Sequence, residues 1–276
     1  MIVEHNPIKV FVKYFLAILF LLMFLFPLGM LINTSVKQFS DVRLSQMWVL
    51  SKHPTLENFS DAFQKLSPNL LNSFILIIPV CFFSILIGSL NGYFFSKYKF
   101  KGSNLLFALI IFGVFIPYQS ILIPLVQTLN KTHLYGKMSG LILTHIIYGL
   151  PISTLMFRNY YAEIPDELLE AGMLDSLDIW GVYRKLIVPV SIPVIVVVLI
   201  WQFTSVWNDF LFAVVITQDP SVQPITVALQ NLSGSQIVHW NTLMAGALIA
   251  SFPTLLVYIF FGKYFVQGLL AGSVKG

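Results

Sequence analysis

Six stretches of the chain each run for about twenty residues on apolar side chains with almost no charge. They are Tyr14–Ile32, Asn72–Phe95, Asn104–Val126, Ser139–Phe157, Val188–Trp207 and Thr242–Phe261. A helix of roughly 20 such residues crosses the hydrocarbon layer of a bilayer. A soluble core cannot absorb this much apolar surface: 57% of the 276 residues are hydrophobic and 10% charged, where an ordinary soluble domain carries roughly 25% charge. Composition therefore excludes a soluble enzyme, a disordered chain and a secreted disulfide scaffold. The expected fold class is an all-α integral membrane protein with six transmembrane helices and no room for a second soluble domain. The first stretch is too long for a signal-peptide core and lacks a small-x-small cleavage site, so it is read as a span.

The run from Leu186 to Ile216 is longer than one span needs, and Asn208 and Asp209 fall where its helix should end. Phe210–Ile216 is thus expected to be a break or a re-entrant piece. Pro27, Pro79, Pro117, Pro124, Pro151, Pro189, Pro193 and Pro253 lie in or beside spans. Each removes a backbone donor and bends its helix. The net charge of +4 reports topology rather than a nucleic-acid partner. With the N-terminus inside, ten of the sixteen basic residues lie on inner segments, the short Tyr98–Gly102 loop giving the clearest signal. Both termini are expected to be cytoplasmic. The single cysteine, Cys81, permits no intrachain disulfide and no cysteine metal site.

Six of the twelve acidic residues sit between Glu163 and Asp178, in the loop between the fourth and fifth spans. Pro165 suits the start of a helix, and Asp166 and Glu167 then occupy its first turn, where the helix dipole favours negative charge. Helical spacing puts Leu168, Ala171, Gly172 and Asp175 on adjoining rows of one face, with two small residues that let another backbone approach. Asp175-Ser176 breaks the helix, and Leu177, Trp180 and Arg184 continue on a second short one. An interfacial anchor usually carries a basic polar face to meet anionic lipid. This one is acidic, which points to a docking surface for a soluble protein.

The segment from Glu170 resembles the E-A-A loop of ABC-importer permeases, a pattern of E-A-A, two residues, D-G, and L-P thirteen residues later. Glu170, Ala171, Asp175 and Pro189 fall in register; Gly172 replaces the second alanine, and Ser176 replaces the glycine between the helices. Serine is less suited than glycine to a left-handed turn, so the bend is expected to be tighter or differently built. The likeness continues through T-L-E-N-F at Thr55–Phe59, F-F-S-K-Y-K-F-K-G at Phe94–Gly102, V-W-N-D-F at Val206–Phe210 and the tail from Lys263 to Gly276. It is closest to the MalG-like branch of carbohydrate permeases.

The resemblance implies a type I importer permease of MetI-like fold in a bacterial cytoplasmic (inner) membrane. Residues 1–66 would form an N-terminal helix and outer loop, 67–265 the permease core with coupling helices at about 163–186, and 266–276 a cytoplasmic tail. It implies partners: a homologous second permease, two ATPase subunits and an extracytoplasmic solute-binding protein facing Lys37–Pro68 and Asp219–Asn241. The cargo would be a sugar or oligosaccharide, with glycerol-3-phosphate or another polar solute as the alternative. Glu170, Ala171, Gly172, Asp175, Ser176 and Leu177 would couple to the ATPase, and Gly272, Ser273, Val274, Lys275 and Gly276 would reach toward it. ATP and Mg would sit on that partner. The residues agree: neither Gly136-Lys137 nor Gly262-Lys263 has glycine five positions earlier, so no P-loop is present and the chain is not expected to be an enzyme.

The substrate path is less legible. Polar residues at membrane depth include Asn91, Gln119, His145, Tyr148, Gln202 and Asn208, with Asp209 the one acid near a span. Interhelical hydrogen bonds are the commoner use of such groups, and Asp209 could cap a helix instead of meeting cargo. His145 has no carboxylate at i±3 or i±4, so neither a metal nor a proton relay is expected. Tyr118, Trp201 and Trp207 could stack on a sugar ring. An ion-coupled secondary transporter would need mid-membrane ionisable groups and repeats, and a membrane enzyme would need converging catalytic groups. The chain displays neither set.

Overall fold

A computed structural model describes residues 7–234 and 237–271, and among them there is no strand. The helices are α1 Pro7–Ser35, α2 Glu57–Lys97, α3 Ser103–Phe112, α4 Leu122–Lys131, α5 Met138–Ala162, α6 Asp166–Leu174, α7 Ile179–Val182, α8 Val188–Val190, α9 Ile192–Trp207, α10 Leu211–Ile216, α11 Ile225–Ser233 and α12 Trp240–Ala271. Four of these, α1, α2, α5 and α12, are each long and apolar enough to cross a membrane. Two bent pairs raise the number to six if each is counted as one span: Ser103–Phe115 with Tyr118–Lys131, and Ile179–Val190 with Ile192–Trp207.

The expected third span, Asn104–Val126, is therefore not one straight helix; it turns by 96°. Proline disfavours the α conformation in the residue before it, and Ile116, which precedes Pro117, is extended at φ −77°, ψ 116°. The fifth span bends by 74° at Ser191. Its Oγ donates back to the Ile187 carbonyl, a bond that bends helices. Just upstream, Tyr183–Ile187 is a π-helical turn, next to Pro189, which has no N–H to give the preceding turn. Past Asn208 and Asp209 the chain restarts as the short helix α10, the expected break.

The chain divides into two compact units, Met1–Ser67 with Leu229–Ser251, and Pro68–Ala228 with Phe252–Gly276. In the first, side chains organise the loop after α1. Asn58 Nδ2 donates to the Ser35 and Lys37 carbonyls at 2.8 Å each, and Asn241 Nδ2 donates to Asn58 Oδ1 at 2.8 Å. Lys37 is buried, with Nζ 2.8 Å from the Gln46 carbonyl.

In the second unit, α2 and α5 approach closely at Gly88 and Gly92. A Cβ on Gly92 would lie 2.5 Å from Phe157 Cβ and 2.8 Å from Arg158 N; on Gly88 it would lie 2.7 Å from Ser153 Cβ. This is the small-xxx-small packing of membrane helices, where lipid is as apolar as leucine and close van der Waals contact drives association. The core beside it gathers Tyr93, Phe157, Tyr161, Leu169, Val182, Tyr183, Ile187, Val194 and Val198.

Candidate functional site

The coupling loop is built from α6 and α7. Asp166 and Glu167 sit in the first turn of α6, and Pro165 takes the cap position, one residue earlier than the sequence suggested. Asp166 Oδ1 is 2.7 Å from Lys97 Nζ, at the end of α2. The same ammonium donates to the Ile164 carbonyl, and the lysine side chain is 3% exposed. Lys97, by hydrogen bond and then by charge, holds the exposed Asp166 carboxyl below its ordinary range. In the sequence this lysine is only one basic residue in a short loop. Nothing in its spacing to Asp166 reveals the pair.

The helix faces differ from the expected ones. Leu169 and Gly172 are buried and Leu168 half-buried, while Glu170, Ala171 and Asp175 are exposed. The small-residue notch is thus split. Gly172 packs inward, where a Cβ would lie 2.6 Å from Leu186 Cδ1 and 3.2 Å from Val182 Cγ2. Its close neighbour is the chain's own next helical segment. The outward face carries Glu167, Glu170, Ala171 and Leu174, the last 87% exposed, with Met173, Ile179 and Trp180 exposed near it.

The turn after α6 keeps left-handed geometry despite the missing glycine: Ser176 has φ +62°. Ser176 N donates to the Met173 carbonyl and Leu177 N to the Gly172 carbonyl, both at 3.0 Å. Those two bonds make a Schellman close with serine where glycine is usual. The turn is thus closed with serine, not glycine, in the left-handed position. Leu177 is half-buried, 3.7 Å from the Cβ position of Gly172, and Asp178 caps α7 by accepting from Gly181 N at 2.7 Å. Beneath the loop, Ser89 Oγ lies 2.6 Å from the Tyr161 hydroxyl and 2.8 Å from that of Tyr183, a buried polar link among α2, α5 and the π turn. Gly272, Ser273, Val274, Lys275 and Gly276 lie outside the described residues.

At the other candidate position the structure gathers His145, Tyr148, Asn208 and Asp209 around a cleft of about 450 Å³, with Tyr118, Thr204, Ser205, Phe210, Leu211 and Phe212. His145 is not isolated, as the sequence spacing suggested: its Nε2 is 3.4 Å from Asp209 Oδ2. The residues are 64 positions apart, and only folding brings them together. The two side chains are neighbours without hydrogen-bond geometry, and Nε2 stays without a hydrogen-bond partner. Asp209 also caps α10, accepting from Ala213 N at 3.0 Å and, more weakly, Phe212 N at 3.4 Å. Asn208 Nδ2 bonds its own helix at the Thr204 carbonyl, 2.9 Å. The Tyr148 hydroxyl donates to the Ile116 carbonyl at 2.7 Å, holding the break before Pro117.

Gln202 does not line the cleft. It is buried behind it, close against Gly149, with Oε1 unpartnered. Asn91 bonds across to Thr154 Oγ1 at 3.3 Å, the structural use that polar residues in spans commonly have. Of the three aromatic residues considered for ring stacking, Tyr118 lines the cleft, whereas Trp207 is buried against Phe74 and Phe203. Among the described residues no group of histidine, cysteine, aspartate and glutamate could hold a metal ion.

Comparison with known proteins accords with this geometry. Residues 82–270 match the family described as the binding-protein-dependent transport system inner membrane component. A probable ABC transporter permease protein of Pyrococcus horikoshii is 54% identical over 174 residues, a stretch that spans 63% of each chain. The xylose/arabinose import permease protein of Haloferax volcanii is 33% identical over 97% of this chain and 94% of its own. The fold is also that of a chain in the crystal structure of a bacterial ABC transporter involved in the import of the acidic polysaccharide alginate: TM-score 0.84 over 96% of this chain and 99% of that one, at 17% identity. With spans, a helical loop outside them and a family match over most of the chain, the protein belongs to the inner-membrane permease components of binding-protein-dependent ABC transport systems.

Proposed function

We propose that this chain is one of two permease subunits in an ATP-driven importer of sugars, and that α6 and α7 are its grip on a separate ATPase. The observation that carries the reading is the exposed face of α6, where Glu167 and Glu170 flank Ala171 and Leu174. An uncovered apolar centre with an acidic rim fits a soluble partner that brings a hydrophobic cleft and a basic group. The two helices are joined to α5 and α9 by short connections and to α2 by Lys97. Movement of the partner would therefore reach several spans at once, the two-state element that distant coupling needs. Glu170, Ala171, Asp175 and Ser176 supply the outer surface; Gly172 and Leu177 keep the two helices together.

In this reading ATP and Mg are bound by the partner and the chain itself catalyses nothing. The α6 end and both termini face the cytoplasm, and an extracytoplasmic binding protein delivers the solute to the opposite side. The tail residues Gly272–Gly276 approach the ATPase. A sugar is favoured as cargo by the name of the Haloferax relative and by the cleft that gathers His145, Tyr148, Asn208 and Asp209, with Gln202 behind it.

The test is uptake of radiolabelled neutral sugars into native membrane vesicles energised by ATP or by ion gradients. ATP should drive uptake and collapse of the gradients should not stop it; the reverse would identify a secondary transporter. Glu170→Lys should remain in the membrane yet lose ATP-driven uptake, with the ATPase either dissociated or hydrolysing without transport. Normal uptake by that variant would remove the docking assignment.

A further inference from the structure

The cleft between α5 and α9–α10 has a composition that selects among solutes. We infer that it is a subsite for a neutral, hydroxyl-rich ring, and that it discriminates against anions such as sugar phosphates and uronates; this rests on the importer reading above. Its volume of about 450 Å³ lies within the usual range for small-molecule sites, roughly 300–1,000 Å³. Tyr118 and Tyr148 line one side, packed edge-on or tilted against each other and against Phe212, which is itself 3% exposed. Tyr148 and Phe212 have centroids 5.4 Å apart, Tyr118 and Phe212 5.7 Å, and Tyr118 and Tyr148 6.3 Å. An aromatic wall offers a C–H-rich ring face an apolar surface without demanding charge.

Polar chemistry comes from Ser205, Asn208 and Asp209, which line the cleft. His145 stands behind them, 6% exposed, with its buried Nε2 3.4 Å from Asp209 Oδ2. Asp209 has spent lone pairs on the α10 amides and retains others for hydroxyl donors. The lining holds one carboxylate, one histidine and no lysine or arginine. A solute phosphate or carboxylate would meet the Asp209 carboxylate with no lysine or arginine in the lining to offset the repulsion. A neutral sugar hydroxyl meets an acceptor. Glycerol-3-phosphate, the alternative left open by the sequence, thus fits the cleft poorly.

The chain's one cysteine, Cys81, is buried, which allows a probe of the cleft's charge. Ser205→Cys, at an exposed lining position, is labelled in native membrane vesicles with cationic trimethylammonium-ethyl or anionic sulfonato-ethyl methanethiosulfonate. The cationic reagent should react about ten-fold faster, a preference of the size one incompletely screened charge produces. Asp209→Asn, which keeps an oxygen for the α10 cap, should abolish the preference. D-glucose or D-xylose should slow both reactions, while D-glucuronate and sn-glycerol 3-phosphate should not. Equal rates for the two reagents, or equal protection by the anions, would overturn the subsite. So would failure of both Ser205→Cys and Asn208→Cys to react, since the cleft would then be closed to solute. ATP-driven sugar uptake by vesicles bearing the native chain is measured in parallel. Its absence overturns the transport reading, and the subsite with it; its presence without protection overturns the subsite alone.

Discussion

Ser176 bears a cost that the family pattern avoids. A non-glycine residue at φ +62° brings Cβ close to a carbonyl, at roughly 1–2 kcal/mol; a glycine there would give part of that back through a more flexible unfolded chain. Ser176→Gly should therefore stabilise the turn by about 1 kcal/mol. In detergent this should appear as a higher thermal unfolding midpoint with the coupling ratio of ATP hydrolysis to uptake unchanged; a lower midpoint would show that serine's hydroxyl has a role here. The sequence revealed that a substitution had occurred but not its consequence. The Schellman bonds to Met173 and Gly172 are strong enough to keep the backbone in place, and that balance is visible only once the turn is built.

At the scale of elements, the close approach of α2 and α5 rests on Gly88 and Gly92. Their four-residue spacing is present in the sequence, in G-S-L-N-G, a signature of helix packing in lipid that charge and proline positions do not reveal. Gly92→Leu would set a side chain against Phe157 Cβ and Arg158 N, and backbone cannot yield as a flexible side chain does. The variant should lose about 3 kcal/mol of stability, read as a lowered thermal aggregation midpoint of the purified protein. The same substitution at Gly29, which has nothing within 4 Å of its Cβ position, should leave that midpoint in place. Proline positions announced the bends at Ile116 and Ser191, yet their size, 96° and 74°, depends on what each freed backbone group met. Tyr148 holding the Ile116 carbonyl is one such partner.

Across the whole molecule, transmission from the coupling loop depends on side chains as well as on covalent continuity. Lys97 joins the end of α2 to Ile164 and Asp166, so a pull on α6 reaches a helix to which it has no direct chain connection. Lys97→Met should keep the apolar stem packed but break the link, lowering uptake several-fold while the ATPase still binds and hydrolyses. Lys97→Arg should restore much of the loss, and equal uptake by Lys97→Met would show the link to be dispensable. The pair is also pH-dependent in a defined direction. Because the folded Asp166 pKa is lowered, its contribution is complete above the ordinary carboxylate pKa and is lost as pH falls through the lowered value. The link is intact at neutral pH.

Sequence alone determined that the chain lives in a membrane, roughly where its apolar spans lie, and that half of its acids gather in one helical loop outside them; it did not set the helix ends, since α2 starts at Glu57 and not near Asn72. Those are consequences of composition and local periodicity, which each segment carries by itself. Tertiary structure decided which face of α6 is turned outward, that Gly172 serves the chain's own packing, that Lys97 secures the loop, and that His145 and Asp209 share a cleft. Each of these joins residues from different helices or depends on what packs against them. Such contacts form only when the helices have found their partners, since hydrophobic periodicity sets which side of a helix is buried and says little about what it is buried against.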